Sequence, residues 1–168
     1  LHGQPELAGL LRKLDKLPGD FRLRLMYLHP ASVTPELLDA LKKSVHLIRC
    51  VEMPVQHISD PVLRAMNRKV FEERTREVVS EIRAAGYSIR TTLLTGFPGE
   101  TDADFRKLAE FVKETRFERL GAFAYSKEEG TPAASLPDQV SAALAEKRRG
   151  ALLGIQKTLS LENNRALV

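Results

Sequence analysis

Arg90-Thr91-Thr92-Leu93-Leu94-Thr95-Gly96-Phe97-Pro98-Gly99-Glu100-Thr101 begins as a β-branched, apolar strand, breaks at a Gly-Phe-Pro-Gly turn and restarts at once as a helix. Such a junction sets flexible backbone, an aromatic ring and a carboxylate at the C-terminal end of a strand. In parallel α/β proteins that edge is where ligands bind. The turn therefore locates a site without naming its ligand.

Outward from this junction, helical and strand patterns alternate along the whole chain. Leu7, Leu10, Leu11 and Leu14 recur at helical spacing within residues 5–17, which end at Pro18-Gly19. Residues 21–28 alternate as a strand. Thr34-Pro35-Glu36 opens a helix, with threonine as N-cap and proline in its first turn. Strands follow at 47–53, 88–95 and 119–125. Between them lie helices at 60–67 and 72–85, the second stopped by Gly86, and one capped by Thr101 with Asp104 in the reciprocal position. The apolar face of that last helix is Phe105, Leu108, Ala109 and Val112. A long helical tract, interrupted by Gly150 and Gly154, is expected from about residue 139 to the end.

Four strands alternating with helices predict an α/β fold with a parallel sheet of right-handed βαβ units. Four strands cannot close a barrel, so an open sheet or an arc of a partial (βα) barrel is expected, with helices outside. Leu1 is not an initiator methionine, and Asn163-Asn164-Arg165-Ala166-Leu167-Val168 stops without a helix terminator. Both ends read as interior sequence, and the arc is the expected form.

The 168 residues suffice for one domain with a real core. The formal charge of +4 suits a phosphate-rich partner such as a ribosome or tRNA, and equally an ordinary solvated surface. One cysteine, Cys50, excludes an internal disulfide and a multi-cysteine iron–sulfur site built by this chain alone. It is expected to be a buried, inert thiol. No apolar run approaches the roughly 20 residues of a membrane span, and no signal peptide opens the chain. Cytoplasmic location and no membrane partner are the resulting expectations.

In a parallel sheet the residues just past each strand converge on one edge. Those residues are Tyr27 and His29; Gln56, His57 and Ser59; Gly96, Phe97 and Glu100; and Tyr125, Ser126 and Lys127. His29, His57 and Glu100 admit a two-histidine, one-carboxylate metal site, or histidines that only cap their own loops. The Gly96–Gly99 turn could cradle a phosphate. Glu100 in the first helical turn would repel one, and a neutral moiety such as adenine or ribose fits better. Arg64, Arg68 and Lys69, close after the Gln56–Ser59 loop, admit contact with a polyanion, but they read first as a solvated helix face, as does Lys147-Arg148-Arg149. Charges of alternating sign over Glu72–Arg83 read as a salt-bridged exposed face.

Three segments, in order, resemble the radical S-adenosylmethionine methylthiotransferases: Met53-Pro54-Val55-Gln56-His57-Ile58-Ser59-Asp60 with Leu63 to Arg68; Thr91 to Thr101; and Arg116-Phe117 through Tyr125-Ser126, then Glu129-Gly130-Thr131-Pro132-Ala133. Gln56-His57-Ile58-Ser59 resembles the RimO branch, which methylthiolates an aspartate of ribosomal protein S-twelve. The tRNA-modifying MiaB branch typically has Gln-Ser-Gly-Ser at that place. Tyr125-Ser126-Lys127-Glu128-Glu129-Gly130 also fits the ribosomal-protein branch.

The resemblance implies a radical reaction. An iron–sulfur cluster cleaves S-adenosylmethionine, the resulting radical takes hydrogen from the aspartate β-carbon, and a second cluster supplies sulfur for the methylthio group. It implies that the Thr92–Phe97 strand end, through Thr92, Leu94, Gly96 and Phe97, contacts the adenosine. Gln56 would approach the ribose or methionine part, with His29, Tyr125 and Ser126 lining the same cavity. It assigns no catalytic residue and no metal ligand to this chain.

The chain departs from the family pattern in one respect that decides much. The Cys-x3-Cys-x2-Cys loop of the radical cluster, the N-terminal domain with the second cluster's cysteines and the C-terminal TRAM module have no counterpart in residues 1–168. The chain resembles the last four strands of a six-stranded partial TIM barrel. It is expected to offer a partial S-adenosylmethionine site, no ligands for either four-iron–four-sulfur cluster and no activity alone. The expected partner is ribosomal protein S-twelve or the small ribosomal subunit, without direct nucleic-acid binding. A tRNA methylthiotransferase fragment and a non-catalytic S-adenosylmethionine-binding remnant are the alternative readings.

Overall fold

Parallel pairing joins four strands in chain order: β1 (Leu23–Leu25), β2 (Leu47–Glu52), β3 (Ser88–Thr95) and β4 (Arg119–Ala124). They belong to a computed structural model that describes residues 6–165. The helices are α1 (Leu7–Leu14), α2 (Pro35–Lys43), α3 (Asp60–Ala65), α4 (Glu72–Ala84), α5 (Asp102–Thr115) and α6 (Ala142–Arg165). The expected helix start at residue 5 and the extreme ends of the chain lie outside the described residues.

The strand period of two decides which face is covered. On β3, Ile89, Thr91, Leu93 and Thr95 are buried, whereas Thr92 and Leu94 are half-buried and Arg90 is exposed. Val51 and Met53 continue the buried side on β2, and Ala122 on β4. Against them pack Leu37 and Leu41 of α2, Val78 and Ile82 of α4, Leu108 and Val112 of α5, and Leu152 of α6. The opposite face is open and exposes Met26, Ile48 and Phe123. This is the expected α/β arc, with helices on one side only.

The elements nearest the junction match expectation closely. β3 spans Ser88–Thr95 as read, Thr34 caps α2 by accepting from Leu37 N, and Thr101 with Asp104 forms a full capping box on α5. The charged face of α4 is salt-bridged: Arg74 reaches Glu77 and Glu81 at 3.0 and 3.1 Å, and Arg76 reaches Glu72 and Glu114 at 3.0 and 2.9 Å. On α5, Phe111 joins Leu108 and Val112 in the core, while Phe105 and Ala109 are half-buried.

Elsewhere the structure corrects the expectation. The first strand shrinks to three residues because its register slips against β2: Leu23 pairs with Leu47 but Leu25 with Val51. Phe21 leaves the sheet and stacks on His46 at 4.1 Å, and Tyr27 takes a left-handed φ of 56°. α6 begins at Ala142 rather than 139, since Gln139 spends its amide on the carbonyls of Ala133 and Leu136. Cys50 is half-exposed on the open face, because Val51 beside it takes the core position.

Candidate functional site

The C-terminal ends of the strands bring most of the candidate residues together. Gln56 forms an isolated parallel bridge with Leu93: its N–H donates to Thr92 O at 2.9 Å, and its carbonyl accepts from Leu94 N at 2.8 Å. Its φ of 71° ends the strand there and turns the chain into the His57–Ser59 loop. Thr92 and Leu94 of β3, and Gln56 bonded beside them, are each half-buried. Next to them, Phe97 and Tyr125 meet edge to face at 5.3 Å, and Tyr125 N donates to Thr95 O at 2.8 Å. Among the described residues the buried Tyr125 hydroxyl has no hydrogen-bond partner. Ser126 is exposed, and its hydroxyl donates to Glu128.

Gly96 is required by packing. A Cβ built there would lie 2.2 Å from Ala145 Cβ, and φ is +75°. The glycine lets α6 press directly on the strand end. Thr95 Oγ1 completes that contact by donating to Ala145 O at 2.9 Å.

His29 caps its own short turn, its Nδ1 accepting from Ala31 N at 3.1 Å. Burial holds its pKa below the ordinary value, and the Arg68 cation lowers it further. Both effects favour the neutral ring, whose Nδ1 is the acceptor toward Ala31 N. Arg68 itself is half-buried and donates to Pro54 O at 2.7 Å, so it does not belong to a solvated helix face. Asn67 explains the difference: its φ of 55° ends the helix and turns Arg68 back toward the strand end. A guanidinium beside the Gln56 loop suits a carboxylate; its nearness to that loop is legible in the sequence, its burial against Pro54 is not.

A buried polar network stands behind this wall. His57 is fully buried; its Nδ1 accepts from Ser59 N at 2.9 Å, and its Nε2 lies 3.6 Å from Glu100 Oε2. Glu100 turns inward: Oε2 accepts from Gly96 N at 2.7 Å and Oε1 from Arg148 Nη1 at 2.8 Å. Arg148 also donates to Glu100 O at 3.1 Å and to Asp102 at 2.7 Å. Arg148 is thus buried, contrary to the solvated face expected for residues 147–149, because Glu100 supplies its counter-charge.

Glu100 therefore does not face a ligand, and electrostatic repulsion by it cannot be what keeps phosphate away. The α5 N-terminus is closed by the protein itself. Asp104 accepts from Thr101 N at 2.9 Å and from the Ser59 hydroxyl, while Asp104 N donates to Thr101 Oγ1. The N-cap amide and one first-turn donor, Asp104 N, are thereby used. Among the described residues no three His, Cys, Asp or Glu side chains converge as a metal site. His29 stays at its own turn, so the two-histidine, one-carboxylate arrangement does not form.

Burial alone would raise the Asp104 pKa, but the hydrogen bonds from Ser59 and Thr101 outweigh it and hold the carboxylate below its usual value of 3.8. A carboxylate depressed by folding contributes stability above its unfolded pKa and loses it as pH falls through the folded value. Thermal melts below pH 4 should therefore fall more steeply for the native chain than for Asp104→Asn. Parallel curves would show that Asp104 carries no such linkage.

The chain matches the radical SAM superfamily model over residues 3–112. It is 43% identical over its whole length to the ribosomal protein uS12 methylthiotransferase RimO of Geotalea uraniireducens, covering 38% of that protein. It is 42% identical over 98% of its length to the RimO protein of Clostridioides difficile, covering 37%. It spans somewhat over a third of the length of these relatives. Among solved structures, coproporphyrinogen III oxidase (HemN) of Escherichia coli, a radical SAM enzyme, superposes with a TM-score of 0.64 at 24% identity, over 95% of this chain and 36% of that one. The radical S-adenosylmethionine methyltransferase TsrM of Kitasatospora setae, solved with cobalamin and a [4Fe-4S] cluster, gives 0.59 at 21% identity, over 73% and 26%. These structures share the fold. Among the described residues no helix is long and apolar enough to cross a membrane.

Proposed function

This chain belongs to the radical SAM superfamily, and from that premise we propose that it forms part of the catalytic domain of a ribosomal protein uS12 methylthiotransferase. The observation that carries the reading is the identity of 43% over the entire chain to proteins of that name. The substrate is then an aspartate of uS12, which gains a methylthio group on its β-carbon. Bound S-adenosylmethionine and its cluster would supply the radical chemistry.

The residues at the strand ends fit half of such a cofactor site. Thr92, Leu94 and the edge of Phe97 offer the mixed polar and apolar wall an adenosine needs, and the unpartnered Tyr125 hydroxyl offers a hydrogen bond. Gln56 and His29 flank it, and Gly96 sets the height of the turn. Arg68 supplies a cation for the methionine carboxylate. The single thiol, Cys50, cannot supply the thiolates an iron–sulfur cluster requires, so no cluster is held by these residues.

A chimera tests the function. The corresponding third of the Geotalea relative is replaced by this chain, and a uS12 peptide is analysed by mass spectrometry. Methylthiolation of its aspartate is the expected result. A chimera that folds and holds its clusters but modifies only tRNA, or nothing, would refute the reading.

A further inference from the structure

The open face of the sheet carries charge where a barrel interior would be. Glu52 ends β2 and pairs in register with Arg90, which pairs in turn with Arg119. Arg24 of β1 approaches the same carboxylate oxygen of Glu52 from the other side, at 3.8 Å, against 3.6 Å for Arg90. Both distances exceed a hydrogen bond, so one carboxylate oxygen lies between two guanidinium groups without satisfying either. Neither arginine side chain makes a closer polar contact among the described residues. Like charges directly opposite on a sheet, as Arg90 and Arg119 are, destabilise it. Such a row is favoured when an anion joins it.

The height of the row above the sheet edge gives it meaning. Arg90, Thr92 and Leu94 lie on the same face of β3. Arg90 is two residues below Thr92, about 6.6 Å of strand, which an arginine side chain spans. The guanidinium groups therefore stand directly beneath the proposed adenosine wall. In the reading proposed above, the methionine carboxylate falls to Arg68 at the loop edge, which donates to Pro54 O.

We propose that Arg24 and Arg90, spaced by Glu52, bind the side-chain carboxylate of the aspartate that is to be modified. This rests on the uS12 reading above. That carboxylate is one bond from the β-carbon, so gripping it fixes the reacting carbon under the cofactor. Guanidinium groups suit the task because they engage a carboxylate in two parallel hydrogen bonds and stay charged at every physiological pH.

Nuclear magnetic resonance of the arginine Nε–H groups in this chain tests the site directly, apart from any activity. The probes are N-acetyl-L-aspartate methylamide, its asparagine analogue and S-adenosylmethionine. The aspartate compound is expected to shift Arg24 and Arg90 saturably, and Arg90→Gln to weaken it about tenfold or more. Arg24→Gln, on a different strand, should do the same, which guards against a local folding defect in one variant. No shift, an equal response to the asparagine analogue, or unchanged affinity in both variants would overturn the proposal. Displacement of the aspartate compound by S-adenosylmethionine would also overturn it, by assigning the arginines to the cofactor. A failure here with an active chimera would reject the carboxylate site alone.

Discussion

Arg148→Met is expected to destabilise the chain by about 3–5 kcal/mol, because it leaves the Glu100 carboxylate buried without its counter-charge. In a domain of this size that amounts to a fall of roughly 10 °C in melting temperature. The effect is large because both side chains are nearly inaccessible, Arg148 at 4% and Glu100 at 0% exposure. Arg148 also spans three partners: Glu100 Oε1, Glu100 O and Asp102. The double variant Arg148→Met with Glu100→Gln separates charge from shape. Glutamine keeps an acceptor for Gly96 N while removing the uncompensated charge, so much of the lost stability should return. Denaturant melts of the native chain and the two variants decide the matter. A loss below about 1 kcal/mol for Arg148→Met would mean that water reaches Glu100 and the pair is effectively exposed.

That pair also shows where sequence reading stopped. The strand, turn and helix from Ser88 to Thr115 were legible because their signals are local: β-branched alternation, glycines at positive φ and a capping box within four residues. The convergence of Gln56, Thr92, Leu94, Phe97 and Tyr125 followed from parallel topology alone, since each is placed by its own strand end. What escaped was set by partners far along the chain. Arg148 looks like any surface arginine until Glu100, 48 residues earlier, is folded against it. Arg68 looks solvated until the Pro54 carbonyl, 14 residues earlier, accepts from it. The short β1 depends on a register slip against β2 that no single-strand pattern contains. The inner stripe of α6 was hidden for a different reason. It runs Ala145, Arg148, Leu152, Gln156 and Leu159, and two of its five members are polar. Gln156 earns its burial by donating to Phe117 O at 2.9 Å.

The second large effect concerns the turn itself. Gly96→Ala should prevent α6 from seating on the strand end, because the added methyl would fall 2.2 Å from Ala145 Cβ and 2.9 Å from its backbone. Neither neighbour can yield: one is a helix backbone atom and the other is fixed to it. Two costs combine, the clash and the left-handed φ of +75°, which disfavours any side chain by roughly 1–2 kcal/mol. The sum is expected to exceed about 3 kcal/mol, with lost α6 docking as the visible consequence. Ala145→Gly in the same chain removes the 2.2 Å contact and leaves the 2.9 Å approach to the helix backbone and the φ strain. That double variant should regain part of the stability, less about 1 kcal/mol for a glycine inside a helix. Hydrogen exchange of α6 amides reads this out locally: fast in Gly96→Ala, slow again in the double variant. If the second substitution restores nothing, the glycine is demanded by its φ alone. The close contact with α6 would then be incidental to the turn that carries Phe97.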